Sequence, residues 1–365
     1  MKIKRATKQS SLYQIVKLVV PILVGMAIGF SWNNITHTVS SNPSLESDIS
    51  SMKNGFTKKV VHGNVSSNNQ ISTATFADHK DIDGWKAVYV YYGKEEGLHS
   101  SKPPMLNKEQ NSAEGSQVKQ DEIINALMTA YQMKEKNDVE KDFYFIDLAA
   151  NDATALSNTY KLEMKGWTGL CIEPNPIYWF RLAHRKCMVA GTFVGGVDLK
   201  EVEVALKTNE FGGIVGDNFD NSEKSLKSFG SASALAEKEK RYTISILTMF
   251  QQFDVPKTID YLSLDVEGAE ELIMKEFPFD SYKIRFLTIE RPKVGLTALL
   301  EKMNYHFVMM LVFWGETLWV HESVLGTMDM DEIKKIVTKN KVHARRISKG
   351  QSYWDIKKGD YVIMK

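Results

Sequence analysis

Short apolar runs alternate with helix-patterned segments from residue 117 onward, and that alternation limits the chain to very few architectures. Runs over 143–148, 168–172, 188–197, 261–266 and 284–290 have the length and apolar character of buried strands. Between them, residues 117–134, 155–165, 177–185 and 269–277 carry helical spacing; in the first, Ile123, Ile124, Leu127, Met128 and Tyr131 fall on one helix face. Strands that alternate with helices build βαβ units, and βαβ units give a parallel sheet covered by helices on both faces. The pattern changes at the end. Runs over 307–313 and 317–321 are separated by Trp314-Gly315-Glu316, a spacing that predicts an antiparallel hairpin at the sheet edge. The expected fold is therefore α/β: a Rossmann-like, doubly wound, mostly parallel sheet with an antiparallel terminal hairpin.

In such sheets ligands bind beyond the carboxyl ends of the strands, so the residues there are the informative ones. The first run leads into Asp147-Leu148-Ala149-Ala150-Asn151-Asp152-Ala153, the second into Glu173-Pro174-Asn175-Pro176. The later ones lead into Asp265-Val266-Glu267-Gly268-Ala269-Glu270 and Glu290-Arg291-Pro292. Each end offers a carboxylate. Glu173 follows Asp147 by 26 residues, near the roughly 20 expected of an acid that holds ribose hydroxyls. The first turn has neither Gly-x-Gly-x-x-Gly nor Gly-Lys-Ser/Thr, so it is no phosphate cradle. An acidic turn repels a pyrophosphate and suits a cofactor bearing an ammonium and a sulfonium. That points to S-adenosylmethionine rather than NAD or ATP. Any one of these acids alone would read as a helix cap or a solvated turn.

The runs 145–153, 156–159 and 166–176, the run 261–270, and upstream Ser116-Gln117 with Gln120-Asp121, together resemble the FkbM family of methyltransferases. The resemblance spans 116–323 and implies O-methylation of a hydroxyl, on a glycan or a small molecule, from S-adenosylmethionine. It implies that Asp147, Asn151 and Asp152 line the methionine end of the cofactor, that Glu173 holds the ribose, and that Asn175 is a neighbour. Asp265 and Glu267 are the candidate catalytic residues, as the base a hydroxyl needs when it attacks, or as ligands of a divalent metal. For Glu270 the expected role is to cap the following helix. The family pattern has glycine where Ala149 and Ala153 stand here, and alanine resists the positive φ that glycine adopts freely. The expectation is a reshaped loop or a weakened cofactor site. The layout is also similar to the membrane-anchored Star proteins of insects, which implies a rival role: a non-catalytic trafficking or binding protein.

Residues 12–32 are long and apolar enough to span a bilayer, with no charge from Leu18 to Trp32. Lys2, Lys4, Arg5 and Lys8 precede this segment and no charge follows it until Glu46, which predicts a cytoplasmic N-terminus and a translocated remainder. A cleaved signal peptide or a transit peptide is the competing reading. The expected organisation is a cytoplasmic tail over 1–11, a transmembrane signal anchor over 12–32 and a Ser/Asn/Thr-rich stem and linker over 33–115. The methyltransferase-like domain follows over 116–325, with an extension over 326–365. The expected location is the Golgi or endoplasmic reticulum membrane, with the domain luminal. The stem holds sequons at Asn34 and Asn64, the latter better placed for glycosylation.

A net charge of +1 speaks against a broad nucleic-acid surface. The only 2 cysteines, Cys171 and Cys187, lie inside the domain and could bridge; two buried thiols are the expectation. Three segments carry a bland and a sharp reading. Residues 211–233 form a long connection or a lid. Trp314–Trp319 with His321 packs the hairpin or faces the acceptor. The basic stretch 334–349 reads as solvated surface.

Overall fold

A computed structural model describes residues 58–62, 87–91, 115–135, 142–206, 212–217, 219–220, 238–341 and 347–364, all within one compact unit, Phe56–Lys365. The expected membrane segment, both sequons, most of 211–233, and Arg345-Arg346 lie outside the described residues. Among the described residues no helix is long and apolar enough to cross a membrane.

The strands, in chain order, begin with β1 (Lys58–His62) and β2 (Ala87–Tyr91), an antiparallel pair. Then come β3 (Tyr144–Leu148), β4 (Thr168–Ile172), β5 (Met188–Ala190), β6 (Phe193–Gly195), β7 (Glu201–Ala205), β8 (Gly213–Ile214) and β9 (Lys238–Ser245). The rest are β10 (Thr258–Leu264), β11 (Lys283–Glu290), β12 (Tyr305–Met310), β13 (Glu316–His321), β14 (Ser352–Asp355) and β15 (Asp360–Ile363). The helices are α1 (Gln120–Glu135), α2 (Tyr160–Glu163), α3 (Trp179–Leu182), α4 (Ile246–Gln252), α5 (Glu270–Met274), α6 (Val294–Lys302), α7 (Glu322–Leu325) and α8 (Met330–Asn340).

The central sheet has seven strands in the order β12-β13-β11-β10-β3-β4-β5. From β11 to β5 all neighbours are parallel, and β13 runs antiparallel between β11 and β12. From β3 the chain proceeds outward through β4 and β5, then returns to β10 on the other side and proceeds through β11. The order therefore reverses between β3 and β10, which is where an open α/β sheet leaves a crevice.

The alternation of side chains along a strand sets the two layers. Ile146, Leu170, Leu262 and Leu287 face a core shared with Met249 and Phe250 of α4, Ile273 of α5 and Leu296 of α6. Their sequence neighbours Phe145, Cys171, Tyr261 and Phe286 face the opposite core, with Ile123, Leu127 and Met128 of α1 and Ile333 and Val337 of α8. The Rossmann-like expectation is met on both faces. Within 334–349, Lys334, Lys335 and Lys339 form the exposed face of α8.

Three local expectations are corrected. Residues 188–197 are two strands in different sheets, because the chain turns at Gly191, where a Cβ would lie 2.6 Å from the Trp179 ring. The outer part, β6, joins a second sheet of order β6-β9-β7-β8 that the sequence pattern missed. The helix expected over 155–165 shrinks to α2, since Arg185 takes up the carbonyl of Ala153 (3.2 Å), the hydroxyl of Ser157 (3.0 Å) and that of Thr159 (3.1 Å). Finally, Cys171 and Cys187 are bridged across β4 and the start of β5, with Cα atoms 6.1 Å apart, rather than held as two thiols. A bridge closing a loop of this length restricts the unfolded chain by about 3 kcal/mol. Reduction, or Cys187→Ser, is expected to lower the unfolding free energy by about 2–4 kcal/mol in a denaturant titration; equal midpoints for the oxidised and reduced chains would refute the bridge.

Candidate functional site

The crevice at the switch point is a continuous cleft. One wall comes from the ends of β3 and β4 (Ala149, Asn151, Glu173, Asn175) and the other from the ends of β10 and β11 and the start of β13 (Asp265, Glu267, Glu290, Arg291, Glu316). Gln117 ahead of α1, Gln120 at its start, Tyr178, Phe193, Ile214 and Trp314 also line it. Of the residues expected from sequence, Asn151, Glu173, Asn175, Asp265 and Glu267 line this cleft, whereas Asp147 and Asp152 do not.

Asp147 is buried beneath the loop and accepts a 2.6 Å hydrogen bond from the Thr159 hydroxyl. Burial raises its pKa, opposed by Thr159 and by the Arg185 charge. Asp152 turns inward. One oxygen accepts from the amides of Thr154 (3.0 Å) and Ala155 (2.9 Å), and the other is paired with Arg181. Both acids shape the loop from behind. The sequence pattern could not separate them from cleft-facing acids, because the arginines that engage them, Arg185 for Asp147 and Arg181 for Asp152, come from 38 and 29 residues further on.

The loop between them carries Ala149 at φ 63° and Asn151 at φ 54°. The reshaped loop expected from alanine is thus not found at Ala149, which holds the left-handed conformation at a steric cost of about 1–2 kcal/mol. Ala153 does not have a positive φ and is buried. The loop is tied to the neighbouring strand instead. Glu173 accepts from the Asn151 amide (2.8 Å) with one oxygen and from the Asn175 amide (2.7 Å) with the other, bridging the two strand ends. Burial pushes the Glu173 carboxyl up to about 7 against those two bonds, and the Asp147 charge adds to the rise.

The other wall concentrates negative charge. Asp265, Glu267, Glu290 and Glu316 meet there, with Asp220 beside them and Arg291 as the one cation among the described residues of the lining. Arg291 contacts Asp220 (2.8 Å), Glu267 (3.2 Å) and Glu290. Asp220, Glu267 and Glu290 lie close enough together to ligate a metal ion, and the cation at that spot is the guanidinium. Burial raises Asp265 well above the ordinary carboxylate range, reinforced by Glu290, Glu267 and Glu316. Burial likewise holds Glu267 at about 7, with Arg291 pulling the other way, and Glu316 at about 8. Arg291 is itself held more firmly protonated by these neighbours, which outweigh its own burial. Sequence reading had Glu316 within the Trp314–Trp319 segment but not among the cleft acids, because only the β11–β13 register sets it opposite Glu290.

Glu270 accepts from the amides of Val266 and Gly268, both at 3.1 Å, so it folds back over the turn rather than entering the cleft. Beyond the site, Trp314 lines the cleft, whereas Trp319 is core and His321 accepts from Ser323 N at 3.0 Å as the cap of α7.

Residues 147–311 match the profile of the family described as the Methyltransferase FkbM domain. The match supports a methyltransferase in general, and methyltransferases of this kind draw in general on S-adenosylmethionine. The match runs from the acid at the end of β3 to just past β12, leaving β13 and the C-terminal hairpin outside it. No curated protein matches the chain.

Two predictions follow from the site's electrostatics and backbone. Glu173, Glu267, Glu270 and Glu316 titrate near 7–8 when folded and near 4.5 when unfolded. Their contribution to stability is full below the unfolded value and is lost as pH rises through 7–8. The melting temperature of the ligand-free chain should therefore fall from pH 5.5 to 8.5; a rise over that range would contradict the assignment. Ala149→Gly should stabilise the chain by about 1 kcal/mol by relieving the positive φ, read as an upward shift of the chemical denaturation midpoint.

Proposed function

We propose that the chain is an S-adenosylmethionine-dependent methyltransferase that transfers a methyl group to a hydroxyl of a glycan or small molecule. The observation that carries this reading is the cleft itself. At the switch point, Asn151, Glu173 and Asn175 stand on one wall, and a surplus of carboxylate faces them from the other. The residues fit the cofactor. Glu173, rigidly held by two backbone amides, presents a carboxylate suited to ribose hydroxyls. The excess of acid over base suits the ammonium and sulfonium charges.

When bound, the cofactor supplies an electrophilic methyl on a positively charged sulfur. The remaining work is the protein's. The two walls fix donor and acceptor in line, which supplies much of the acceleration of a direct displacement. The acceptor hydroxyl would pass its proton to a carboxylate as the methyl–sulfur bond breaks with its electron pair left on sulfur, and Glu267 is the preferred base. It lines the cleft, and a carboxyl at about 7 is balanced between taking and releasing a proton near neutral pH. Asp265 lines the same wall, its carboxyl raised by burial and by the charges of Glu290, Glu267 and Glu316.

The reading extends to the rest of the chain as a membrane-anchored enzyme of the Golgi or endoplasmic reticulum, held by residues 12–32 with the domain in the lumen. The Cys171–Cys187 bridge supports an oxidising compartment. The rival, a non-catalytic binding role for the same fold, is favoured by one observation: Asp147 and Asp152 are consumed inside the loop, not offered to the cleft.

Isothermal titration with S-adenosylmethionine decides between them. The full-length chain is expected to bind at micromolar concentration, and Glu173→Ala to weaken binding at least tenfold. No binding by the unaltered chain, with or without magnesium, would support the rival and end the enzyme reading.

A further inference from the structure

We propose that the C-terminal hairpin β14–β15, which lies beyond the family-matched residues, is a positioning element of the acceptor side of the cleft, with Trp354 and Tyr361 holding Arg291 in place. The inference rests on the methyltransferase reading for the word acceptor. The clamp itself rests on contacts alone.

Those contacts converge on the Phe313–Gly315 turn, against which Arg291 rests. Arg291 leaves β11 and donates its amide to the Gly315 carbonyl (3.0 Å), which docks it on the turn between β12 and β13. At Gly315, which has φ +123°, a Cβ would lie 2.6 Å from Arg291 Cγ and 3.1 Å from Trp354 Cγ. The turn is thus pressed against the arginine stem and the indole at once, and glycine is required by both space and conformation. Trp354 is only 6 % exposed, and its amide donates to the Phe313 carbonyl at 2.8 Å. The Tyr361 hydroxyl donates to the Trp314 carbonyl at 3.0 Å. The Trp354 and Tyr361 rings meet edge to face at 5.2 Å. At the hairpin's own turn, a Cβ on Gly359 would lie 2.6 Å from Val294 N, so the hairpin also abuts the segment that follows Arg291.

The consequence is chemical. A guanidinium on a flexible stem would sample many rotamers, and holding it costs conformational entropy. With its stem packed against Gly315, and the Trp354 indole pressed on the same glycine, that cost is met by the fold. Arg291 is then pre-set to contact Asp220, Glu267 and Glu290 together. Its charge lowers the Glu267 carboxyl that burial raises. Through Arg291 the hairpin therefore sets how readily the proposed base takes a proton, although neither aromatic ring need touch the reacting atoms.

The test reads Glu267 directly and needs no acceptor. In the full-length chain with carbon-13 in glutamate carboxyl groups, the Glu267 resonance is the one lost in Glu267→Gln. Trp354→Ala is expected to raise its titration midpoint by about one pH unit or more, the scale set by a nearby opposite charge. Trp354→Phe keeps a flat ring against Gly315 and gives up only an N–H that has no partner among the described residues, so it should restore the midpoint. Tyr361→Phe, which removes one hydroxyl, should move it part of the way. An unmoved midpoint in folded Trp354→Ala overturns the proposal. Should Trp354→Ala not fold, an unmoved midpoint in Tyr361→Phe overturns it equally. Titration of the same samples with S-adenosylhomocysteine keeps the two readings apart: failure of the unaltered chain to bind counts against the cofactor, while the midpoints still judge the clamp.

Discussion

Everything on the β3–β4 side of the cleft depends on two buried arginines. Arg185 is fully enclosed and pairs with Glu163 at 3.0 Å, while its remaining donors hold Ala153, Ser157 and Thr159. Glu163 in turn accepts from the amides of Lys186 (2.7 Å) and Cys187 (3.1 Å), so the pair joins α2 to the strand beginning at Met188. Arg181 pairs with Asp152 a few residues earlier in the same loop. Breaking such a buried pair by removing one partner costs about 3–5 kcal/mol, because the other charge is left uncompensated. The network explains why the loop needs no regular helix over most of its length. It also explains how alanine at 149 is tolerated: the surrounding bonds over-determine a conformation the residue would not choose.

The opposite wall obeys a different constraint. Carboxylates from three adjacent strand ends are forced together by the β10–β11–β13 register, and a single guanidinium answers them. Like charges this close cannot all ionise cheaply in a buried site, so burial and mutual repulsion raise the pKa values of Asp265 and Glu316. This is costly for stability, and such costs gather at working sites. The two walls thus divide the labour. One is rigid, hydrogen-bonded and tied to the backbone, and the other is electrostatically tense and poised to exchange a proton or meet a cation.

Much of this was legible in the sequence, for a definable reason. A parallel sheet buried on both faces leaves continuous apolar runs, and the acids that end them are local features. Hence Asn151, Glu173, Asp265 and Glu267 could be placed at strand ends from the sequence alone. What could not be read depends on partners distant in the chain. Asp147 and Asp152 look like cleft acids until Arg181 and Arg185 are known to lie behind them. Glu316 gains its meaning only opposite Glu290. The bridge between Cys171 and Cys187 requires β4 and β5 to be neighbours. In the second sheet only β7 alternates clearly, since β6 and β8 are 3 and 2 residues long and β9 opens on the charged run Lys238–Arg241.

The most direct test of the central claim is a crystal structure of the chain with S-adenosylhomocysteine bound. The account predicts the ribose hydroxyls on Glu173 and the sulfur turned toward Glu267, with the Ala149–Asn151 loop unchanged in its left-handed conformation. A ligand seated elsewhere, or a cleft that stays closed to saturating ligand, would contradict it.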